Sequence, residues 1–226
     1  GVCSRRDADK LIEQGKVLVN GQVAGMGQQV EETDTVQVGK KILQGKQTQK
    51  VLAFYKPVGV TCTERDPHAE KKIMDMIRYP ERLTYAGRLD KDSEGLILLT
   101  NDGDLINAMM RGANRHEKEY IVKTDREITP DFLEKMAKGI YLKDLDITTR
   151  ECEIEQIGKF TFRIVLTQGV NRQIRRMCEA CGYRVKALKR IRIMNVLLGD
   201  LKPGKWREVT GEELEQLQRD TGMLNR

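Results

Sequence analysis

Apolar positions change their spacing repeatedly along this chain, and each change predicts an element. In SRRDADKLIEQGKVLVNGQVA, Ala8, Leu11 and Ile12 fall on one helical face, Ser4 and Asp7 form a capping-box pattern, and Gly15 ends the helix. Asn20-Gly21 between VLV and QVA is a two-residue hairpin signal, and TVQV (35–38) adds a short strand. From Gly39 to Lys50 the pattern lapses: GKKILQGKQTQK has little to bury and reads as a linker.

The longer remainder opens with VLAFY, Val51 to Tyr55, a buried strand stopped by Lys56-Pro57. Ile73, Met74 and Ile77 predict a helix after an irregular loop; LILL (96–99) is a strand, DLINAMM a helix and EYIVKT a strand. Thr129-Pro130 caps and starts a helix through Met136 that Gly139 ends. ECEIEQI and KFTFRIVLT read as strands, the second with Phe160, Phe162, Ile164 and Leu166 on one face. NRQIRRMCEAC reads as a helix and RVKALKRIRIMNV as a strand. A Trp206 strand then precedes a last helix boxed by Thr210 and Glu213, with Leu214 and Leu217 inward. Strands and helices intersperse without a regular alternating unit, which predicts an α+β fold: a mixed, largely antiparallel sheet with flanking helices.

Composition narrows the classes. At 226 residues the chain can bury one good core plus a small accessory module, and its formal charge of +6 matters where the cations cluster. No signal peptide and no bilayer-length apolar run is present, which predicts a soluble cytoplasmic protein with no membrane partner. The five cysteines are odd in number and irregular in spacing, so no disulfide framework is expected. Cys178 and Cys181 form a CxxC, but with Ile174 and Met177 they fall at i, i+3, i+4 and i+7 of one helix and read as core thiols. The only histidines are His68 and His116, too few for a credible zinc site.

The stretch with most chemistry is Gly87 to Gly103, GRLDKDSEGLILLTNDG. Asp90, Asp92 and Glu94 alternate in a turn that closes on Gly95 at the mouth of a buried strand, where a carboxylate can be held rigidly. D-x-D-x-E-G imitates the opening of a calcium loop, yet the twelfth position is Asn101 instead of Glu, and LILLT continues as a strand. The remaining alternative is an ordinary solvated turn.

This stretch closely resembles the active-site motif of pseudouridine synthases of the RsuA type, which act on ribosomal RNA. The resemblance extends, in order, to KPVGVT (56–61), HEKEYIV (116–122) and QGVNRQIRRMCEACGY (168–183), while RIRIMNV (190–196) looks most like the large-subunit rRNA pseudouridine synthase F group. SRRDADKLIEQGKVLVNGQVA resembles the RNA-binding module named after ribosomal protein S4. The implied organisation is a small α/β S4-type RNA-binding module over residues 1–43, a linker over 44–50 and the catalytic domain over 51–226. The chain opens on Gly1 and the module is read as lacking its usual leading turns, so the native start is expected to precede Gly1.

The resemblance implies isomerisation of a specific uridine to pseudouridine: the bond from base nitrogen to C1′ breaks, the uracil turns over, and it rejoins through C5. No net redox change or group transfer occurs, so no cofactor and no metal is expected. By the same resemblance Asp90 is the catalytic carboxylate, adding to C1′ or to C6 or assisting an elimination. Asp92 and Glu94 are expected to shape the turn or keep its surface wet. Arg175 matches the arginine that pairs with the aspartate and lowers its pKa, the alternative being a phosphate contact. Tyr120 matches a tyrosine that packs on the target base, and Leu188 an apolar residue of the base pocket; for both the alternative is plain core.

The target base must leave its helix, at a cost of a few kcal/mol. Arg190 and Arg192 are expected on one strand face with Ile191 and Ile193 on the other, forming with Arg172, Arg176, Lys186 and Lys189 a basic surface beside the pocket. Arg88, inside the motif, belongs to the same substrate side. Arg5, Arg6 and Lys10 are either a solvated helix face or, by resemblance, a face that lies on RNA phosphates. The expected partner is ribosomal RNA, most directly the large-subunit RNA, bound by a monomer. Alternatives are the same reaction on transfer RNA and a non-catalytic RNA-binding factor in ribosome assembly.

Overall fold

The computed structural model describes residues 3–31, 33–43, 48–63, 70–111 and 115–224. They form two compact units, Gly1–Gln49 and Lys50–Arg226.

The first unit starts with helix α1, Arg5–Glu13. The Asp7 amide donates to Ser4 Oγ at 3.2 Å while the Ser4 hydroxyl donates to the Asp7 carboxylate, the reciprocal cap that the spacing predicts. Strands β1 (Val17–Val19) and β2 (Gln22–Val23) are joined by Asn20 and Gly21, both at positive φ, so the hairpin turns with the twist of its strands. β3 (Val36–Val38) and β4 (Lys41–Ile42) complete a sheet of order β2-β1-β3-β4. β4 falls inside the stretch read as linker. Gly39, in the left-handed region, turns the chain so that Lys41 and Ile42 pair with β3 despite their exposed side chains. Of the expected linker, residues 44–47 lie outside those described. Val17, Val19 and Ala24 pack with Leu11 and Ile12 of α1 to make this unit's small core.

The second unit is built on one sheet. Its strands are β5 (Val51–Lys56), β6 (Thr84–Ala86), β7 (Glu94–Thr100) and β8 (Lys118–Thr124). Helix α2 (Gly103–Met110) lies between β7 and β8, and α3 (Pro130–Ala137) follows β8. A small ribbon of β9 (Tyr141–Leu142) and β10 (Ile147–Thr148) comes next. β11 (Glu153–Gly158), β12 (Thr161–Leu166), α4 (Gln173–Ala180), β13 (Val185–Ile193), β14 (Val196–Leu197), β15 (Trp206–Glu208) and α5 (Gly211–Asp220) finish the chain. The main order is β11-β12-β8-β13-β7-β5-β15, with β14 on β13 and β6 on β7. Among the described strands only β7 and β13 pair in parallel, giving the expected mixed, largely antiparallel sheet.

Both faces of this sheet are covered, which explains why β5 and β7 are apolar without interruption. Leu52, Phe54, Ile97 and Leu99 enter one core with Phe132 and Met136 of α3 and Ile174, Met177 and Cys178 of α4. Their alternates Val51, Ala53, Leu96 and Leu98 enter the other with Leu105 and Met109 of α2 and Leu217 of α5. Cys178 is thus a core thiol, and burial pushes its pKa to about 12.

Two local expectations are corrected. The helix expected around Ile73, Met74 and Ile77 is a single 3₁₀ turn, Ile73–Met76, because that turn already buries Ile73 and an extended Ile77 follows it. Thr210 makes no side-chain cap bond to α5. Its intended partner Glu213 instead accepts two hydrogen bonds from Arg207, at 2.6 and 2.8 Å. A charged fork outcompetes a backbone amide for a carboxylate.

Candidate active site

The acidic turn is fixed from three sides. At its C-terminal end Gly95 adopts φ +111°, and a Cβ placed there would lie 2.2 Å from the Arg190 carbonyl oxygen. Only a residue without a side chain lets β13 come alongside β7 at the Gly95–Arg190 pair. From β5, the Lys56 ammonium is fully buried and donates to the carbonyls of Ser93, at 2.7 Å, and Pro57, at 2.9 Å. Burial pushes its pKa down, against the opposing pull of neighbours that include Asp90, Asp92 and Glu94. The Gly59 amide adds a bond to the Lys91 carbonyl at 2.7 Å. The KPVGVT segment therefore works as a clasp on the turn.

The third side is the start of α4. Arg172 occupies its N-cap at φ 51°, and this left-handed kink turns the guanidinium toward the acidic turn. Arg172 lies 3.3 Å from the Asp90 carboxylate and donates twice to Asp92, both at 3.2 Å. Arg175 donates to the Asp92 carbonyl and to Ser93 Oγ, both at 3.0 Å. The expected pairing of Arg175 with Asp90 is therefore corrected: Arg172 contacts Asp90, while Arg175, one turn later, secures the turn's backbone. Asp92 feels burial pushing its pKa up, but the Arg172 hydrogen bond and the Arg175 and Arg172 charges outweigh it and hold it low. Glu94, as expected, is occupied in the scaffold, accepting from the Tyr55 hydroxyl at 2.8 Å.

Asp90 opens onto a cleft of about 660 Å³. Of the residues expected at the site, Arg88, Asp90, Tyr120, Arg172, Arg175, Leu188 and Arg190 all line it. Tyr120 and Leu188 are buried walls, whereas a third of the Asp90 side chain remains exposed.

Two expected contributors lie elsewhere. A bulge in the β8–β13 pairing leaves Ile191 without a partner, so Arg190 sits opposite Tyr120 and Arg192 opposite Glu119. Successive residues of β8 face opposite ways, so the two arginines are on opposite faces instead of sharing one. Arg190 is 2% exposed inside the cleft. Arg192 is on the other face, bonded to Glu119 at 2.6 Å and Glu117 at 2.9 Å. Arg176 is likewise engaged, with the Asp144 carboxylate and the Asn171 carbonyl. In the first unit Arg6 and Lys10 are exposed on α1, and the Arg5 side chain lies outside what is described.

The cleft also holds groups that pattern reading passed over. Lys118 lies two residues before Tyr120 on the same strand face, and its position was legible from that spacing alone. His116 lines the mouth; its Nε2 is buried without a partner, and burial pushes its pKa down. His68 lies outside the described residues. Among the described residues no cluster of His, Cys, Asp and Glu is suited to a metal, and no helix is long and apolar enough to cross a membrane.

A sheet with a clasped aspartate at the mouth of a mixed polar and apolar cleft, on a chain with a second, small α/β unit, defines an RNA-modifying enzyme. The chain belongs to the RNA pseudouridylate synthase family, whose model matches residues 50–180, and an S4 domain matches residues 1–36. Its similarity to the dual-specificity RNA pseudouridine synthase RluF of Escherichia coli K12 is 46% identity, over 96% of this chain and 74% of that protein. It is 33% identical to the ribosomal large subunit pseudouridine synthase B of Pseudomonas aeruginosa, over 99% of this chain and 60% of that one. A crystal structure of a pseudouridylate synthase superposes with a TM-score of 0.72 at 28% identity, covering 95% of this chain and 94% of that one. The chain is thus an enzyme that isomerises uridine in RNA, and the reading as a non-catalytic assembly factor gives way to it.

Proposed function

We propose that this enzyme converts one uridine of ribosomal RNA, in the large subunit, to pseudouridine, with Asp90 as the carboxylate that acts beside C1′. The observation that carries the reading is the position of Asp90: partly exposed at the cleft and ion-paired to Arg172, on a turn held by Lys56 and Arg175. A carboxylate so placed is held stationary, as attack on C1′ or C6 or assistance to an elimination requires. Its neighbours Asp92 and Glu94 already accept hydrogen bonds from the scaffold.

In this reading Tyr120 and Leu188 hold the extruded uracil between them, and Arg172 takes the charge-pairing role that sequence assigned to Arg175. Arg88 and Arg190 stand on the substrate side of the cleft. Arg5, Arg6 and Lys10 of the first unit contact RNA phosphates. The enzyme works as a monomer in the cytoplasm, without a cofactor or metal.

The relative named for the large ribosomal subunit supports the RNA class, and the dual specificity in the name of the Escherichia coli protein makes transfer RNA the second substrate to test. Unmodified ribosomal and transfer RNA transcripts are incubated with the protein, and pseudouridine is mapped by carbodiimide-dependent reverse-transcription stops. A new stop in large-subunit RNA is expected. Stops confined to transfer RNA would replace the proposed substrate.

A further inference from the structure

We propose that Lys118 and Arg190 form a cationic subsite for the detached pyrimidine-2,4-dione, holding its carbonyl oxygens and its negative charge while the base turns over. The inference rests on the catalytic reading above and adds to it a binding site at the floor of the same cleft.

The site starts from strand register. Tyr120 and Lys118 are two residues apart on β8 and share a face, and Arg190 of β13 sits opposite Tyr120. All three line the cleft. The bulge at Ile191 separates the charges: Arg192 goes to the far face, where Glu117 and Glu119 neutralise it. Arg190 and Lys118 remain on the cleft side without a carboxylate partner among the described residues.

Arg190 is anchored by Nε to the Leu96 carbonyl at 2.7 Å and by Nη1 to the Arg88 carbonyl at 3.5 Å. Its Nη2 is buried and has no partner. A guanidinium with two nitrogens anchored and the third unanswered, in a residue 2% exposed, calls for an acceptor from outside the protein. The Lys118 ammonium makes no hydrogen bond or ion pair with the described residues. Burial and the nearby Arg190 charge push its pKa down, so the two cations are close enough to repel each other. Uncompensated charge is costly to bury, and a ligand that brings negative charge relieves the cost.

The reaction supplies such a ligand. When the N1–C1′ bond breaks, its electron pair leaves with the ring and spreads over N1, O2 and O4. C1′ is compensated by a pair from the Asp90 carboxylate, or by the pair of the C2′–H bond as that proton departs. Rejoining reverses this: C5 gives a pair to C1′, the carboxylate leaves or C2′ regains its proton, and the C5 proton is exchanged for one on N1. Rotation about the axis through N3 and C6 exchanges N1 with C5 and also O2 with O4. Donors directed at the carbonyl oxygens therefore meet an oxygen before and after the turn, and the charge never has to enter water. An RNA phosphate is the less suitable occupant, because the backbone would have to reach an arginine that is only 2% exposed.

The test uses an oligonucleotide carrying the mapped target as uridine or as 5-fluorouridine, whose fluorine stabilises the departing anion. Single-turnover consumption of the starting nucleoside is compared for the full chain, Lys118→Met and Lys118→Arg, because the fluorinated ring has no C5 proton to lose and stops after rejoining to C1′. Lys118→Met is expected to slow the uridine reaction by ~10²-fold, as loss of one charge-stabilising donor does, and the fluorinated one by ~10-fold or less. RNA affinity should stay unchanged and the thermal midpoint should hold or rise, since Lys118→Met removes an uncompensated buried charge, and Lys118→Arg should recover most of the rate. An equal penalty on both nucleosides overturns the subsite. So does a loss confined to RNA affinity with a shallower salt dependence, which would indicate a phosphate contact. Arg190→Lys, which keeps charge but loses the fixed fork, should share the smaller penalty on 5-fluorouridine. If Asp90→Asn converts the oligonucleotide unimpaired, the catalytic reading fails by itself, since the nucleoside comparison does not depend on it.

Discussion

Gly95 is the residue on which the catalytic turn depends most directly. Its φ of +111° and the 2.2 Å that would separate an added Cβ from the Arg190 carbonyl oxygen leave no room for any side chain. Gly95→Ala should destabilise the protein by about 3 kcal/mol or more, combining backbone strain with the separation of β7 from β13. In a thermal scan this is a fall of roughly 6–12 °C, and an unchanged midpoint would show that the strands can part without cost. The sequence made the turn's importance visible through its spacing and resemblance. It did not show which arginine meets Asp90, because that depends on the left-handed backbone of Arg172, an angle that no motif spacing encodes.

At the scale of elements, the β8–β13 ladder sorts charge between its faces. Glu119 accepts from Arg192 at 2.6 Å and Arg163 at 3.2 Å, and its side chain is only 14% exposed. Burial pushes its pKa up, yet the two arginines prevail and hold it below the ordinary 4.5. Its stabilisation is therefore complete above pH 4.5 and is lost as pH falls through the lower folded value. Glu119→Gln should cost about 1–2 kcal/mol in urea unfolding at pH 7, with the deficit shrinking below about pH 4.5. A deficit independent of pH would remove the ion pairs from the explanation. Strict alternation placed Arg190 and Arg192 together, and one unpaired residue, Ile191, undoes that. β5 and β7 were legible for the opposite reason: both faces are buried, so an unbroken apolar run is all the strand requires.

At the scale of the molecule, the two units each have their own core and sheet. Residues 50–226 should therefore fold alone with a single cooperative transition. If the first unit supplies affinity and the second chemistry, the fragment should keep kcat on a short RNA within a few-fold while KM rises by ~10-fold or more and binding becomes less salt-dependent. An unchanged KM would take Arg6 and Lys10 out of RNA binding. The division into a small module and a larger domain was visible from the loss of apolar pattern after Val38, although β4 extends the module's sheet into that stretch.

Asp90, and not the neighbouring carboxylate of Asp92 two residues on, is the group proposed to act at C1′. Single-turnover pseudouridine formation by Asp90→Asn and Asp92→Asn decides it. Asp90→Asn should lose at least ~10³ in rate, about 4 kcal/mol of barrier, while Asp92→Asn, which keeps an acceptor for Arg172, should lose about tenfold. Substantial turnover by Asp90→Asn, or an equal collapse of both variants, would remove Asp90 from that role.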